Sequence, residues 1–342
     1  MGIVGGFDVH RQQITFDLLD METGQVSRGE IRPATRSGLR RWLERFEGRE
    51  DIAIAMEACT GWRFIVEELE AAGVEAHLAE VADTRALRGP KRRAKNDRED
   101  ARHLRELLQN GRLPEAWIPP EPIQELRSLF RLRKTLVDER TSWQQRIQAC
   151  LFHHGQPARP RLLTRDRRAW LQTLQLSPAA RQQIEVALRM IDQLQEELQA
   201  LDQQLLEKAH RLRGCQILTR ELYGMGPFTA LATLSELGNA ARFSRSRQVV
   251  RYAGLDVTVY QSDGKRSRGR LSRQGPELLR WALYEASISA HRPTSPDHAY
   301  FMDLSNRVGT NRARLAEARK LLRRAYHLLR PLGERAFEEE VA

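Results

Sequence analysis

Apolar and polar positions over residues 1 to about 112 switch repeatedly between a two-residue period and a helical one. Ile3 to Val9 is a short apolar run, and Gln13 to Leu19 alternates apolar with polar positions. A third extended piece spans about Gly24 to Arg32. From Thr35 to Phe46 the residues Leu39, Trp42, Leu43 and Phe46 fall at helical spacing and predict a helix. Asp51 to Met56 then reads as a compact strand and Trp62 to Ala72 as a helix. Val74 to Val81 reads as a strand and Asp97 to Asn110 as a helix. The predicted order is three strands, helix, strand, helix, strand, helix, with the first three strands as a meander.

That order predicts an α/β domain of the RNase H-like (RuvC-like) kind over residues 1–115. Residues 116–213 follow another pattern, a polar helical text that starts at Pro119, Pro120 and Pro122. Leu126, Leu129, Leu132, Leu136 and Val137 lie near one face of a first helix, which breaks at Gln156 to Pro160. Beyond the break, Ile184, Ala187, Ile191, Leu194, Leu198, Leu201 and Leu205 alternate steps of three and four, the spacing of a coiled-coil seam. An antiparallel hairpin within the chain and a dimerisation arm between chains both fit that seam.

Residues 214–342 are basic and punctuated by glycine, and predict a mostly α domain. Leu222 to Ala230, with Gly224, Gly226 and Thr229, follows the pattern of a helix-hairpin-helix motif. Free N–H groups of such a turn, at a helix N-terminus, can hold a DNA phosphate; the turn can equally be a packing device. Leu255 onward reads as a loop, and Glu277 to Ala290 and Arg312 to Leu329 read as helices.

Composition sharpens the picture. The 342 residues suffice for two or three domains, and 41% are apolar, so real cores are available. Lys plus Arg number 56 against 45 Asp plus Glu, a net charge of +11, which points to a polyanionic partner, nucleic acid first. No apolar run approaches the roughly 20 residues of a membrane helix, and no signal peptide is legible, so no membrane partner is expected. Cys59, Cys150 and Cys215 are isolated and odd in number, which indicates neither a zinc site nor a disulfide framework. A reducing cytoplasm is the expected location. His153 and His154 lack thiol or carboxylate neighbours in sequence and read as part of a turn.

Four acidic residues stand out. Asp8 sits in the first strand, Glu57 just past the fourth, and Asp97 and Asp100 open a helix. Singly, each is an ordinary solvated or capping residue, and Asp97 suits a helix N-cap. Jointly, the first and fourth strands are neighbours in an RNase H-like sheet, and Asp97 and Asp100 share a helix face. Four carboxylates at one place repel and need compensating cations. Hard oxygen ligands select Mg²⁺ or Mn²⁺. Two such ions about 3.5–4 Å apart clamp the attacking and leaving oxygens of a phosphodiester. Val9, His10 and Arg11 follow Asp8 where a sugar kinase or actin-like ATPase would carry Gly, Ser or Thr, and no P-loop is present.

A second cluster surrounds Ser262 in the run Tyr260 to Arg270. Lys265, Arg266, Arg268 and Arg270 would neutralise a phosphate and the charge developing on it. A hydroxyl among them could attack phosphorus and leave a covalent enzyme–DNA ester. Ser267 and Ser272 are rivals that spacing alone does not exclude.

Together these residues resemble the DEDD-type insertion-sequence transposases, the family that also contains the Piv site-specific invertases. The resemblance runs through Gly-Phe-Asp8-Val-His, Met-Glu57-Ala-Cys-Thr-Gly and Lys95-Asn-Asp97-Arg-Glu-Asp100-Ala. It continues through Gly224-Met-Gly-Pro-Phe-Thr-Ala, Phe243-Ser, Tyr252-Ala-Gly-Leu, Gln261-Ser262, Ser272-Arg-Gln-Gly275 and Leu279-Arg280. It implies that Asp8, Glu57, Asp97 and Asp100 are the metal ligands and Ser262 the nucleophile. It also implies homo-oligomers, dimer to tetramer, in which the RuvC-like domain of one subunit and the serine domain of another complete one active site. Donor and target DNA and, in some members, a guiding bridge RNA are the implied partners. One departure is Asp263, which separates Ser262 from Gly264 where many members read Gln-Ser-Gly. A RuvC-like endonuclease using water, or a non-catalytic nucleic-acid-binding regulator, are the alternatives to a transposase that excises and inserts its own element.

Overall fold

A computed structural model describes residues 2–88, 96–157, 159, 161–262 and 265–340, with the backbone alone for 258–262, 265–268 and 270. The chain divides into two compact units, Met1–Ile118 and Pro119–Ala342.

The first unit is a mixed α/β layer. Its strands are β1 (Ile3–Val9), β2 (Ile14–Asp20), β3 (Val26–Ile31), β4 (Ile52–Glu57) and β5 (Glu75–Ala79). Its helices are α1 (Arg36–Leu43), α2 (Trp62–Ala71), α3 (Val81–Leu87) and α4 (Asp97–Gln109). The sheet order is β3-β2-β1-β4-β5, with β1 antiparallel to β2 and parallel to β4. The meander and the neighbouring first and fourth strands follow the expected order; α3, which no periodicity announced, is an addition.

Strand alternation sorts the two faces. Ile3, Phe7, Ile52, Ile54 and Met56 join the core under α1 and α2, where Trp42 packs edge-on against Phe7 and Phe46. The other face is built from small residues: Val4, Ala53, Ala55 and Ala79 pack with Leu104 and Leu108 of α4. Gly6 belongs to that face. A Cβ there would lie 2.0 Å from the Ala101 carbonyl oxygen, so only glycine lets α4 rest directly on β1. Arg105 of α4 adds a buried ion pair to Asp17 of β2, which also accepts from Arg28.

Among its described residues the second unit is helical apart from one hairpin. Its helices are α5 (Glu121–His153), α6 (Arg165–Thr173), α7 (Pro178–Arg211), α8 (Arg213–Glu221) and α9 (Pro227–Leu237). They continue as α10 (Ser246–Tyr252), α11 (Glu277–Ile288), α12 (His298–Val308) and α13 (Thr310–Leu329). The long helices α5 and α7 run antiparallel. Near one end Leu126 and Phe130 meet Leu201 and Leu205; near the other Ile147, Cys150 and Leu151 meet Ile184, Ala187 and Ile191. The predicted seam is thus buried within the chain, with Leu194 half-buried. Arg133 to Asp202 and Arg140 to Gln195 bridge the same two helices.

The expected loop from Leu255 is corrected. Val257–Ser262 (β6) and Lys265–Leu271 (β7) pair as an antiparallel hairpin. Val257, Thr258, Val259 and Tyr260 are the β-branched and aromatic residues that strands favour, and the Gly, Ser and Arg content of the run obscured them. None of the described helices is long and apolar enough to cross a membrane. All three cysteines are free.

Candidate metal centre and nucleic-acid elements

Alternation that places Val4 and Gly6 under α4 also places Asp8 there, at the end of β1. Glu57 ends β4 with the parity of Ala53 and Ala55, and the register Phe7 to Met56 sets the two carboxylates side by side. The first turn of α4 supplies the rest. Asn96, not Asp97, caps this helix: its side chain accepts from the Glu99 N–H at 2.8 Å. Asp97 is thereby spared capping, and Asp97 and Asp100 project from the first turn over the end of β1.

A histidine and an arginine bridge the cluster. His10 Nε2 lies 3.1 Å from Asp8 Oδ2 and 3.4 Å from Asp97 Oδ1, and the three groups can offer ligand atoms within 4.8 Å of one another. Arg88 Nη1 donates to Asp100 Oδ1 at 2.6 Å, and its Nη2 lies 3.8 Å from Glu57 Oε1. The structure therefore brings Asp8 and Asp97 together directly and links Glu57 to Asp100 through Arg88. Burial raises the pKa of Asp8, and the charges of Asp100 and Asp97 add to the rise while His10 opposes it. Cys59 is raised as well, first by burial and then by Glu57 and Asp8.

Sequence reasoning missed His10 and Arg88. A signal for His10 existed, because it stands two residues past Asp8 and alternation can return it to the same side of the chain. Arg88 follows the short helix α3, and no spacing ties it to the acids.

In the second unit, Gly224 and Gly226 form the turn between α8 and α9. Gly224 has φ +86°, and a Cβ would meet the Ala286 carbonyl oxygen at 2.5 Å. Gly226 precedes the first residue of α9, and a Cβ there would meet nothing within 4 Å, so the turn is open at that point. Thr229 donates its hydroxyl to the Gly226 carbonyl at 3.0 Å. A cavity of about 540 Å³ in front of the turn is also lined by Arg220, Arg292 and Arg324. Ser262 ends β6 opposite Lys265. The side chains of Ser262, Lys265, Arg266, Ser267, Arg268 and Arg270, and all of Asp263 and Gly264, lie outside the described residues. Ser272 donates to Asp256.

Residues 5–154 match the DEDD transposase family of the IS110 group, and residues 216–302 match the IS116/IS110/IS902 transposase family. The chain belongs to the DEDD-type insertion-sequence transposases. For this family the DEDD domain implies an RNase H-like fold, with which the sheet order agrees. A Sinorhizobium fredii protein named as transposase y4qE is 27% identical over 269 residues, covering 78% of this chain and 65% of the relative. A family 20 transposase of Pseudomonas aeruginosa is 26% identical, covering 70% and 71%. The transposase for insertion sequence element IS1111A of Coxiella burnetii is 23% identical, covering 78% and 74%. The match thus spans just under two thirds of the first of these relatives.

Proposed function

We propose that this chain cleaves and rejoins DNA strands to excise and insert a mobile element, with Asp8, Glu57, Asp97 and Asp100 holding Mg²⁺ or Mn²⁺ and Ser262 as nucleophile. The observation that carries the reading is the gathering of those carboxylates on the α4 face of the sheet, in a chain of the transposase family. The donor set fits a hard divalent cation: its carboxylate oxygens suit Mg²⁺ and Mn²⁺. Asp8, whose pKa is raised by burial and by its acidic neighbours, would gain from a cation beside it. A bound ion would neutralise charge on the phosphodiester under attack. His10 and Arg88 keep the carboxylates gathered in its absence.

In the covalent step Ser262 Oγ bonds to phosphorus as a bond from phosphorus to a sugar oxygen breaks. The serine loses its proton and the departing oxygen gains one; rejoining reverses the exchange. Lys265, Arg266, Arg268 and Arg270 would neutralise the attacked phosphate. The Gly224–Gly226 turn, with Thr229 bracing it, would hold a backbone phosphate at the start of α9. Donor and target DNA are the substrates on this reading. A guide RNA and a dimer-to-tetramer assembly belong to it as partners.

Covalent trapping tests the proposal. The protein, with co-purified RNA and Mg²⁺, is incubated with labelled element-junction DNA and run on a denaturing gel beside Ser262→Ala. A labelled adduct that vanishes in the variant is expected. Cleavage without an adduct would replace the serine by water as nucleophile.

A further inference from the structure

The root of the β6–β7 hairpin borders a groove of about 960 Å³. Five arginines line it: Arg245, Arg247 and Arg251 from α10 and its N-terminal flank, and Arg319 and Arg323 from α13. Among the described residues Asp256 is the one carboxylate in the lining, and it is engaged by the Ser272 hydroxyl. Arg319 is pinned, half-buried, by donating to the Leu255 carbonyl, and burial together with the nearby Arg323 charge lowers its pKa. Arg245, Arg247, Arg251 and Arg323 are exposed and, among the described residues, have no carboxylate within ion-pairing distance. Elsewhere in the unit, Arg133 of α5 pairs with Asp202 and Arg168 of α6 with Asp192. Five guanidiniums in one concavity repel one another, and a surface of this kind is stable only in the company of anions it can exchange.

We propose that this arginine groove is a DNA-backbone site that grips the duplex on its way to Ser262. The inference rests on Ser262 being the nucleophile for the direction of the path and for the choice of DNA; the anion-binding groove itself stands on its own geometry. Guanidinium forks match phosphate oxygens and carry no base preference, so the interaction is with the backbone. DNA rather than RNA is assigned because the groove opens where the hairpin carrying Ser262 leaves the helical core. From Val257 to Ser262 the strand climbs five residues, about 17 Å at the usual rise. A duplex lying along the hairpin would span that distance in about five base pairs. The groove would therefore hold phosphates about five base pairs from the bond that is cut, far enough to anchor the duplex without blocking the reaction.

The test is the salt dependence of binding. The full chain and Arg247→Gln/Arg251→Gln/Arg323→Gln are titrated by fluorescence anisotropy into a labelled random-sequence DNA duplex and an RNA duplex of the same sequence. Arg319 is left in place because its bond to Leu255 helps hold α13, and thermal unfolding of the triple variant confirms that the fold is kept. For every phosphate that the variant no longer neutralises, the slope of log K against log salt should flatten by about 0.9. The triple variant should therefore show a slope shallower by up to about 2.7 on DNA. An unchanged slope and affinity on DNA overturns the groove, and so does a weakening confined to RNA. The adduct assay separates this proposal from the previous one. A wild-type adduct with unaltered DNA binding in the triple variant sinks the groove and leaves the serine. Abolished DNA binding in the variant, with no adduct from the wild type, leaves the groove and sinks the serine.

Discussion

Asp8 and Glu317 are both carboxyls whose pKa burial raises, and they differ in what faces them. Asp8 faces two more acids and one histidine, an arrangement that a divalent cation would relieve. Asp8→Asn removes a charged ligand with little change of shape, so metal-dependent cleavage should disappear while DNA affinity in an anisotropy titration stays within a few-fold. Loss of both together would place Asp8 in the structure rather than in the chemistry. Glu317 faces Asp297, which Arg324 and Lys320 hold at about 2 despite its burial, and Glu317 itself is pushed up to about 7 by burial and by that neighbour. Because the folded value exceeds the ordinary 4.5, the folded chain retains a proton that the unfolded chain has lost between pH 4.5 and 7. Stability from this group is full below 4.5 and is lost as pH rises through 7. Wild type should therefore lose more Tm across that window than Glu317→Gln, and parallel Tm curves would show that the group does not titrate there. Arg88 was not legible as a neighbour of the acids. The gathering of the four acids was, because alternation and helix spacing express shared faces, whereas an arginine from another segment is revealed only when the segments meet.

At the scale of elements, the readable features were those with a long, uninterrupted period. The meander and the last helix of the first unit show through the text within a residue or two, and so does the seam of α7. Others did not: α3 and α10, of seven residues each, offer too few turns for a period to emerge, α6 and α12 were not read either, and the hairpin was hidden by its arginines and glycines. The α7 seam was legible as a seam but not as to its partner, since a helix face carries no record of whether the facing helix belongs to its own chain. In the structure it packs on α5. Ile191 is fully buried there, so Ile191→Ala should cost about 2–5 kcal/mol in chemical denaturation. A change below 1 kcal/mol, in the range of a surface substitution, would mean that the α5–α7 packing is loose in solution.

For the molecule as a whole, the division at Ile118 and Pro119 matters most. Each side has its own apolar core, the first around Trp42 and Phe7 and the second around α9. Residues 1–118 expressed alone should therefore unfold cooperatively and should take up Mn²⁺ by calorimetry, with Asp8→Asn abolishing the uptake. A fragment that stays unfolded would mean that the first unit depends on the second for its stability. The surplus of positive charge was legible from composition, but its concentration in a groove at the hairpin root was not. Arg245 and Arg323 are far apart in sequence and become neighbours only through the packing of α10 on α13.

Gly6 carries no functional group, yet the approach of α4 to β1 depends on it. In a selection for transposition that sampled every substitution at every position, Gly6 would therefore be as intolerant as the carboxylates it helps to assemble. A ranking by intolerance alone would count it among the chemical residues. Measuring cellular protein abundance alongside would tell them apart: variants at Gly6 lose protein with activity, whereas conservative variants of the acids lose activity and keep the protein.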